Sequence, residues 1–378
     1  MTKVNLEKEL HGGVAQFDIY GKASINDATF PESVSTSKSG WQYKRVSFPV
    51  KVGESNMTYV QIMGGHASED PVVYVQNKEN EAFRVKWDLR DNEEVLKNVA
   101  NRSFIHVLLE EDESGKLIDK RFISELDAID YIAKHLTNEE DVHVSGNVEY
   151  QRYNGKVQRS LNITYISRLR KEYEPKSEIK QTYLVDHNTV PRNYEKALEQ
   201  NGKVILNTFV PQYIGKENGK TIKKTLALPQ ELTLALNGKD MKFAKAVLDR
   251  FFKPDKGVVR EITLINKLVF GIQESQGQVE LTPELQELID LGIMTEDEVK
   301  SEITTNGKRV DEVVFSKIAI GNQEDNRKIM MQDRYAPEAL IVPEDDDEVE
   351  EDTTFTDDNT EATEKDETDI FADDDLFA

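Results

Sequence analysis

The charge of this chain is segregated, and the segregation limits what can fold. Residues 344–378 contain 18 Asp and Glu and a single Lys, a local charge of −17. The whole chain carries −23, so residues 1–343 carry only −6, from 47 basic and 53 acidic side chains. A segment with so little apolar surface and so much like charge cannot offset the entropy of ordering, and it reads as a disordered acidic tail. The tail is not uniformly polar. Ile370, Phe371, Leu376 and Phe377 sit at its end around Asp373, Asp374 and Asp375. A solubilising tail needs no acidic-apolar tip, whereas a tail read by partner proteins does. Asp373, Asp374, Asp375, Leu376 and Phe377 are therefore the candidate partner-binding residues.

Without the tail about 340 residues remain, enough for two domains. The chain has no cysteine, which excludes disulfides, thiolate metal sites and a cysteine nucleophile. It opens MTKVNLEKEL, with no apolar signal-peptide core, and it contains no apolar run long enough to span a bilayer. The expectation is a soluble cytoplasmic protein with no membrane contact. The overall acidity does not argue against nucleic acid, because a mobile tail does not set the charge of a folded face.

The body reads as mainly β. In GVAQFDIYGKASI, WQYKRVSFPVKV and MTYVQIMGG apolar residues recur at every second position. Val46, Phe48, Val50 and Val52 share one face of the second strand, with Trp41, Tyr43, Arg45 and Lys51 on the other. Val60 and Ile62 point to the core of the third, with Tyr59 and Gln61 opposite. Residues 118–136 carry helical spacing through Phe122, Leu126, Ile129 and Ile132. Two strands follow around Asn154-Gly155, a strong hairpin signal, with Leu161, Ile163 and Tyr165 alternating on the return. The charged, proline-containing stretch after residue 172 suggests a linker over 173–202. A second domain over 203–335 repeats the pattern loosely, with a helical insertion at 281–303. YNGKVQRSLNITYISRL and TNGKRVDEVVFSKIAIG read as the same hairpin in a degenerate duplication.

An enzyme reading finds little. None of the six histidines has a partner at metal-ligand spacing, and GGH at Gly64 to His66 lacks the Lys-Ser/Thr of a phosphate loop. No cofactor is implied. A binding reading finds more. Tyr20, Lys22, Trp41, Tyr43, Arg45, Lys51 and Tyr59 project from the first three strands. Tyr150, Arg152, Tyr153, Lys156 and Arg159 interleave rings with cations on the hairpin. Flat rings stack on bases and cations track phosphates without reading sequence, and only single strands expose base faces. The plainer alternative is that Trp41 and Tyr43 cap a second small core or a dimer interface, and that Arg152, Lys156 and Arg159 are solvated hairpin charges. Three strands, a helix and a two-strand hairpin are the order of the five-stranded OB barrel, which binds oligonucleotides on one face.

Residues 128–169 resemble the bacterial and phage single-stranded DNA-binding protein family. Val142-His143-Val144-Ser145-Gly146, Tyr150, Tyr153, Gly155 and Lys156 hold the places of its helix-strand-hairpin motif. The strand Trp41 to Val52 looks like the family's second strand, and the acidic tail with an apolar tip is its second hallmark. The tip here lacks the family's usual proline and adds Ala378. The region 72–115 is long for the family, and the chain is about twice the usual length. The resemblance covers residues 11–170 and the tail, and these departures suggest a phage or mobile-element member. It implies an OB domain over 1–172 that coats single-stranded DNA non-catalytically, while a second OB-like domain in tandem, 203–335, is expected from the strand pattern alone. It also implies a tail over 344–378 that docks replication and recombination proteins. Homo-oligomers are possible. The rival reading is a phage structural or assembly protein whose acidic tail acts as a scaffold contact. A metal-dependent nuclease is the enzyme alternative, and no carboxylate spacing supports it.

Overall fold

The computed structural model describes residues 6–53, 56–153, 155–217, 220–272, 286, 289, 291, 309–321 and 328–342. The tail, its tip and all but three positions of the expected insertion 281–303 lie outside the described residues.

The first barrel is built from β1 (Ala15–Ala23), β3 (Trp41–Lys51), β4 (Met57–Ala67), β9 (Asp141–Tyr153) and β10 (Lys156–Arg168). A two-residue strand, β2 (Ser35–Thr36), edges β3. The barrel closes in the order β1–β3–β4–β10–β9 and back to β1. Only the β4–β10 contact is parallel. Period-two alternation explains the closure: Phe17, Ile19, Val46, Phe48, Val60, Ile62, Val142, Val144 and Ile163 all point inward and are buried. A side chain at Gly146 would meet the Asn162 carbonyl at 1.9 Å. The glycine of the Val-x-Val-x-Gly motif therefore admits the neighbouring strand, where β10 bulges between Ile163 and Tyr165.

Between β4 and β9 the chain inserts a lobe. It holds β5 (Val72–Gln76), β6 (Ala82–Lys86), α1 (Glu93–Leu96), β7 (Ile105–Leu108) and β8 (Lys120–Phe122). Val75, Val85, Val99, Phe104 and Ile123 give this lobe a small core of its own. Helix α2 (Glu125–His135) then plugs the first barrel with Leu126, Ala128, Ile129 and Ile132. It starts later than the expected 118, because Lys120–Phe122 pair with β7 and the Ser124 hydroxyl caps the Asp127 N–H.

The second barrel repeats the first strand for strand. Its members are β11 (Lys176–Val185), β12 (Lys203–Glu217), β13 (Lys220–Ala235), β14 (Val259–Ile272) and β15 (Arg309–Ile318). They close in the order β11–β12–β13–β15–β14 and back to β11, with β13–β15 parallel. Helices α3 (Tyr194–Asn201) and α4 (Met241–Val247) flank it, and α4 occupies the place of α2 between the third and fourth strands. The architecture is mainly β, two OB barrels in tandem. The two segments read as a duplicated hairpin contain β10 and β15, the fifth strand of each barrel.

Residues 173–202 are not a plain linker. They contain β11, the first strand of the second barrel, and α3. The charges of Lys176, Glu178 and Lys180 conceal a strand because they fall on its outward positions, while Ile179, Tyr183 and Val185 are buried. β11 also pairs antiparallel with β1, from Ala15↔Gln181 to Tyr20↔Lys176. The barrels thus join through their first strands, and one sheet runs β10–β9–β1–β11–β14–β15. A final strand, β16 (Met331–Tyr335), pairs with β14 and leads into a 3-10 turn, Pro337–Leu340. Among the described residues no helix is long and apolar enough to cross a membrane.

Candidate nucleic-acid interface

The outward positions of β1, β3 and β4 make one side of the first barrel. Lys22 and Lys51 lie opposite each other across the β1–β3 pair. Each is held by a carboxylate: Lys22 by Asp141, the first residue of β9, at 3.0 Å and Lys51 by Glu139, in the turn before β9, at 2.6 Å. The Tyr173 hydroxyl donates to Asp141 and, with Lys22, holds its carboxyl below the usual range against the opposing effect of burial. Farther along, Arg45 donates to Gln61 at 3.0 Å, and Gln61 donates to Asn162 at 2.8 Å, a polar chain across β3, β4 and β10. Burial lowers the Arg45 pKa, yet a guanidinium stays cationic at neutral pH. Tyr59 is 47% exposed and meets Phe270 of the second barrel edge-on, with ring centroids 5.5 Å apart. Trp41 is half-buried at the start of β3, where it pairs with Ala67.

Tyr43 departs from the expectation. It is buried, so its ring is closed to a base. Alternation places it on the outward side of β3, at the position where β2 pairs through Ser35.

Tyr20 belongs to a different group. It stacks on His143 at 4.2 Å and 14°, and His143 faces Tyr165 at 5.1 Å. The Lys176 ammonium lies 4.8 Å from the Tyr20 ring centre. Asp18 joins His143 Nε2 at 2.6 Å and also Lys176. Burial alone would raise the Asp18 pKa, but the hydrogen bonds from His143 and Lys176 outweigh it and hold the carboxyl below its ordinary value. Sequence reasoning missed His143 and Tyr165 as members of this row. Strict alternation assigns Tyr165 to the core with Leu161 and Ile163, whereas the bulge after Ile163 turns Tyr165 outward and puts Ile166 inside.

The β9–β10 hairpin reaches across to the second barrel. Tyr150 is buried, which pushes its hydroxyl up to about 12, and its N–H donates to Gln212 of β12. It is seam packing and is closed to a nucleobase. Arg152 forms a two-pronged pair with Glu217 of β12, and Arg159 pairs with Asp311 of β15 at 2.7 Å. Lys156 is exposed and Tyr153 half-buried near the tip. Lys156 and Arg159 line a groove of about 860 Å³ with Lys203, Ile205, Pro229 and Glu231 of the second barrel. The sequence-derived residues therefore form three groups: the β3–β4 side, the Tyr20 row and the hairpin over the groove.

The second barrel treats its corresponding side differently. Leu184, Phe209 and Ala227 point outward from β11, β12 and β13, and they pack with Tyr335, Ala339, Leu340 and Leu10. Tyr335 is wholly buried and its hydroxyl donates to Glu261 at 3.0 Å. The N-terminal segment locks this strap in place: Glu7 N–H donates to the Arg334 carbonyl at 3.0 Å, and Ala336 N–H to the Glu7 carbonyl at 2.8 Å.

A family model described as YorF matches residues 102–278. No curated protein matches the chain. Two structures of the single-stranded DNA-binding protein from Thermus aquaticus are similar to it. A deletion mutant is 10% identical, with 73% of this chain and 100% of that chain covered and a TM-score of 0.29. The wild type is 9% identical, with 72% and 99% covered and a TM-score of 0.28. The barrel topology of the present chain rests on its own strand pairing.

Proposed function

We propose that this protein is a non-catalytic, cytoplasmic single-stranded DNA-binding protein that coats the strand without sequence preference. The observation that carries the reading is the outer β3–β4 side of the first OB barrel. There an accessible Tyr59, a half-buried Trp41 and the cations Arg45 and Lys51 share one surface. Rings of this kind stack on any base, and the cations meet phosphates. Lys22 and Lys51 would exchange Asp141 and Glu139 for phosphate oxygens, which makes binding strongly salt-dependent.

The tail has two roles in this reading. Its −17 charge competes with DNA for cationic surfaces, and Asp373 to Phe377 present an acidic-apolar tip to replication and recombination proteins. The last described residue, Val342, packs on the main hydrophobic core.

Fluorescence anisotropy of labelled oligothymidylate, with duplex competitor and a salt series, tests the reading. Tight binding that salt weakens and duplex does not displace supports it. No binding by the full chain or by a truncation after Pro343 overturns it. Removing residues 344–378 is expected to tighten binding at low salt, and unchanged affinity there would remove the competition role.

A further inference from the structure

The open side of the first barrel carries Trp41 at the start of β3, and the surroundings of this ring fix its pose. The turn before β3 grips its backbone from both sides. Ser37 N–H donates to the Trp41 carbonyl at 2.8 Å, and Trp41 N–H donates back to the Ser37 hydroxyl at 3.1 Å. The chain reverses between the two residues: Gly40 N–H donates to the Ser37 carbonyl at 3.0 Å, and Gly40 takes a φ of +81° that favours glycine. The Ser37 and Ser39 hydroxyls lie 2.9 Å apart, so the oxygen that accepts from Trp41 is itself held.

Gly65 supplies the floor. It pairs with Tyr43 across β3–β4, on the outward face and diagonal to Trp41, which pairs with Ala67. A Cβ at Gly65 would stand 2.6 Å from Trp41 Nε1 and 2.2 Å from the Gln42 carbonyl oxygen. The indole therefore lies across a bare stretch of β4, closer than any side chain there would permit. This end of β4 is anchored in turn by the inserted lobe. The ring centre of the next residue, His66, lies 4.4 Å from that of Trp87, the Arg90 guanidinium covers Trp87 at 4.4 Å, and Arg90 donates to Asp127 of α2 at 2.7 and 3.2 Å. A loose ring loses rotamer freedom when a base stacks on it, and that loss opposes binding, whereas a ring already held has less to lose. We infer that Ser37 and Gly65 are positioning residues for Trp41, holding its indole in the stacking pose before the strand arrives and not touching the strand themselves.

This rests on the single-strand reading above, and the test separates the two. Full-length protein is compared with Ser37→Ala, Ser37→Thr and Gly65→Ala, each with and without Trp41→Ala, by anisotropy on labelled oligothymidylate. Ser37→Ala keeps the backbone bonds of the turn and removes only the hydroxyl. It is expected to weaken binding about two- to tenfold with Trp41 present and to add nothing to Trp41→Ala. Ser37→Thr, which restores a hydroxyl, is expected to bind as the unaltered protein does. Gly65→Ala is expected to weaken binding by at least as much as Ser37→Ala and likewise to add nothing to Trp41→Ala. An equal loss in both backgrounds shows a residue acting on its own account and overturns its positioning role, as does unchanged affinity with Trp41 present. Gly65→Ala also strains β3–β4 at the Gln42 carbonyl, so if it fails to fold the Ser37 cycle decides alone. Unchanged affinity in Trp41→Ala overturns the inference while leaving binding by the rest of the side intact, and no binding by the unaltered protein overturns both.

Discussion

The two barrels share a topology and differ in what covers them. In the first, the paired outward positions of strands one and two are Lys22 and Lys51, held only by surface carboxylates. In the second, they are Leu184 and Phe209, sealed beneath Tyr335 and Leu340. A fold can thus be repeated while its outer surface is reassigned. Core positions are constrained by alternation in both copies, but an outward position is free to be charged and open or apolar and covered. The difference teaches that barrel topology alone does not locate a binding side.

The largest expected effect breaks the closed side. Tyr335→Ala removes a wholly buried ring from the strap and is expected to cost about 3–5 kcal/mol, read as a lower denaturation midpoint. A loss under about 1 kcal/mol would mean that the strap is only loosely seated. Next, Gly146→Val drives a side chain into the Asn162 carbonyl. It is expected to destabilise the first barrel by at least about 1–3 kcal/mol, seen as lost amide-exchange protection in β9 and β10 ahead of the second barrel. Trp41→Ala sharpens the contrast from the open side. Stability should change little, while affinity for single strands falls by about 1–3 kcal/mol, roughly 5- to 150-fold. Equal affinity would remove Trp41 from the interface.

The smallest effect concerns pH. The folded-state pKa of Asp18 is depressed, so its contribution is fully present above the unfolded value, about 4, and is lost as pH falls through the folded value. Asp18→Asn should therefore reduce stability near neutral pH and flatten the acid limb below about pH 4 in denaturation measured against pH. An acid limb as steep as that of the unaltered protein would show that Asp18 does not carry it.

Much of this architecture is legible in the residues. Val46, Phe48 and Val50 alternate against a core and are buried, and the strands expected on either side of the hairpin signal are β9, ending at Tyr153, and β10, starting at Lys156. What is not legible depends on contacts far away in the chain. Tyr43 and Tyr150 look like binding rings because their neighbours are polar or basic, yet β2 runs beside one and the second barrel covers the other. Tyr165 is misassigned because a single bulge shifts its parity. β11 is hidden because its charges sit on outward positions beside β1. The closing role of Tyr335 has no local signature, since its partners are Leu10, Leu184, Phe209 and Ala227.

The pairing of Glu7 with Arg334 and Ala336 also has a bearing on how the chain is made. A ribosome releases Glu7 almost at once, but its partners only after all ten barrel strands have emerged. Through that interval Leu184, Phe209 and Ala227 lie bare on a nascent second barrel, the kind of surface that invites aggregation or a chaperone. Refolding of the finished chain faces the same long-range closure, which raises contact order and slows the last step. The strap is then the natural place to look for a late kinetic phase, in which the second barrel acquires its cover after the first is complete.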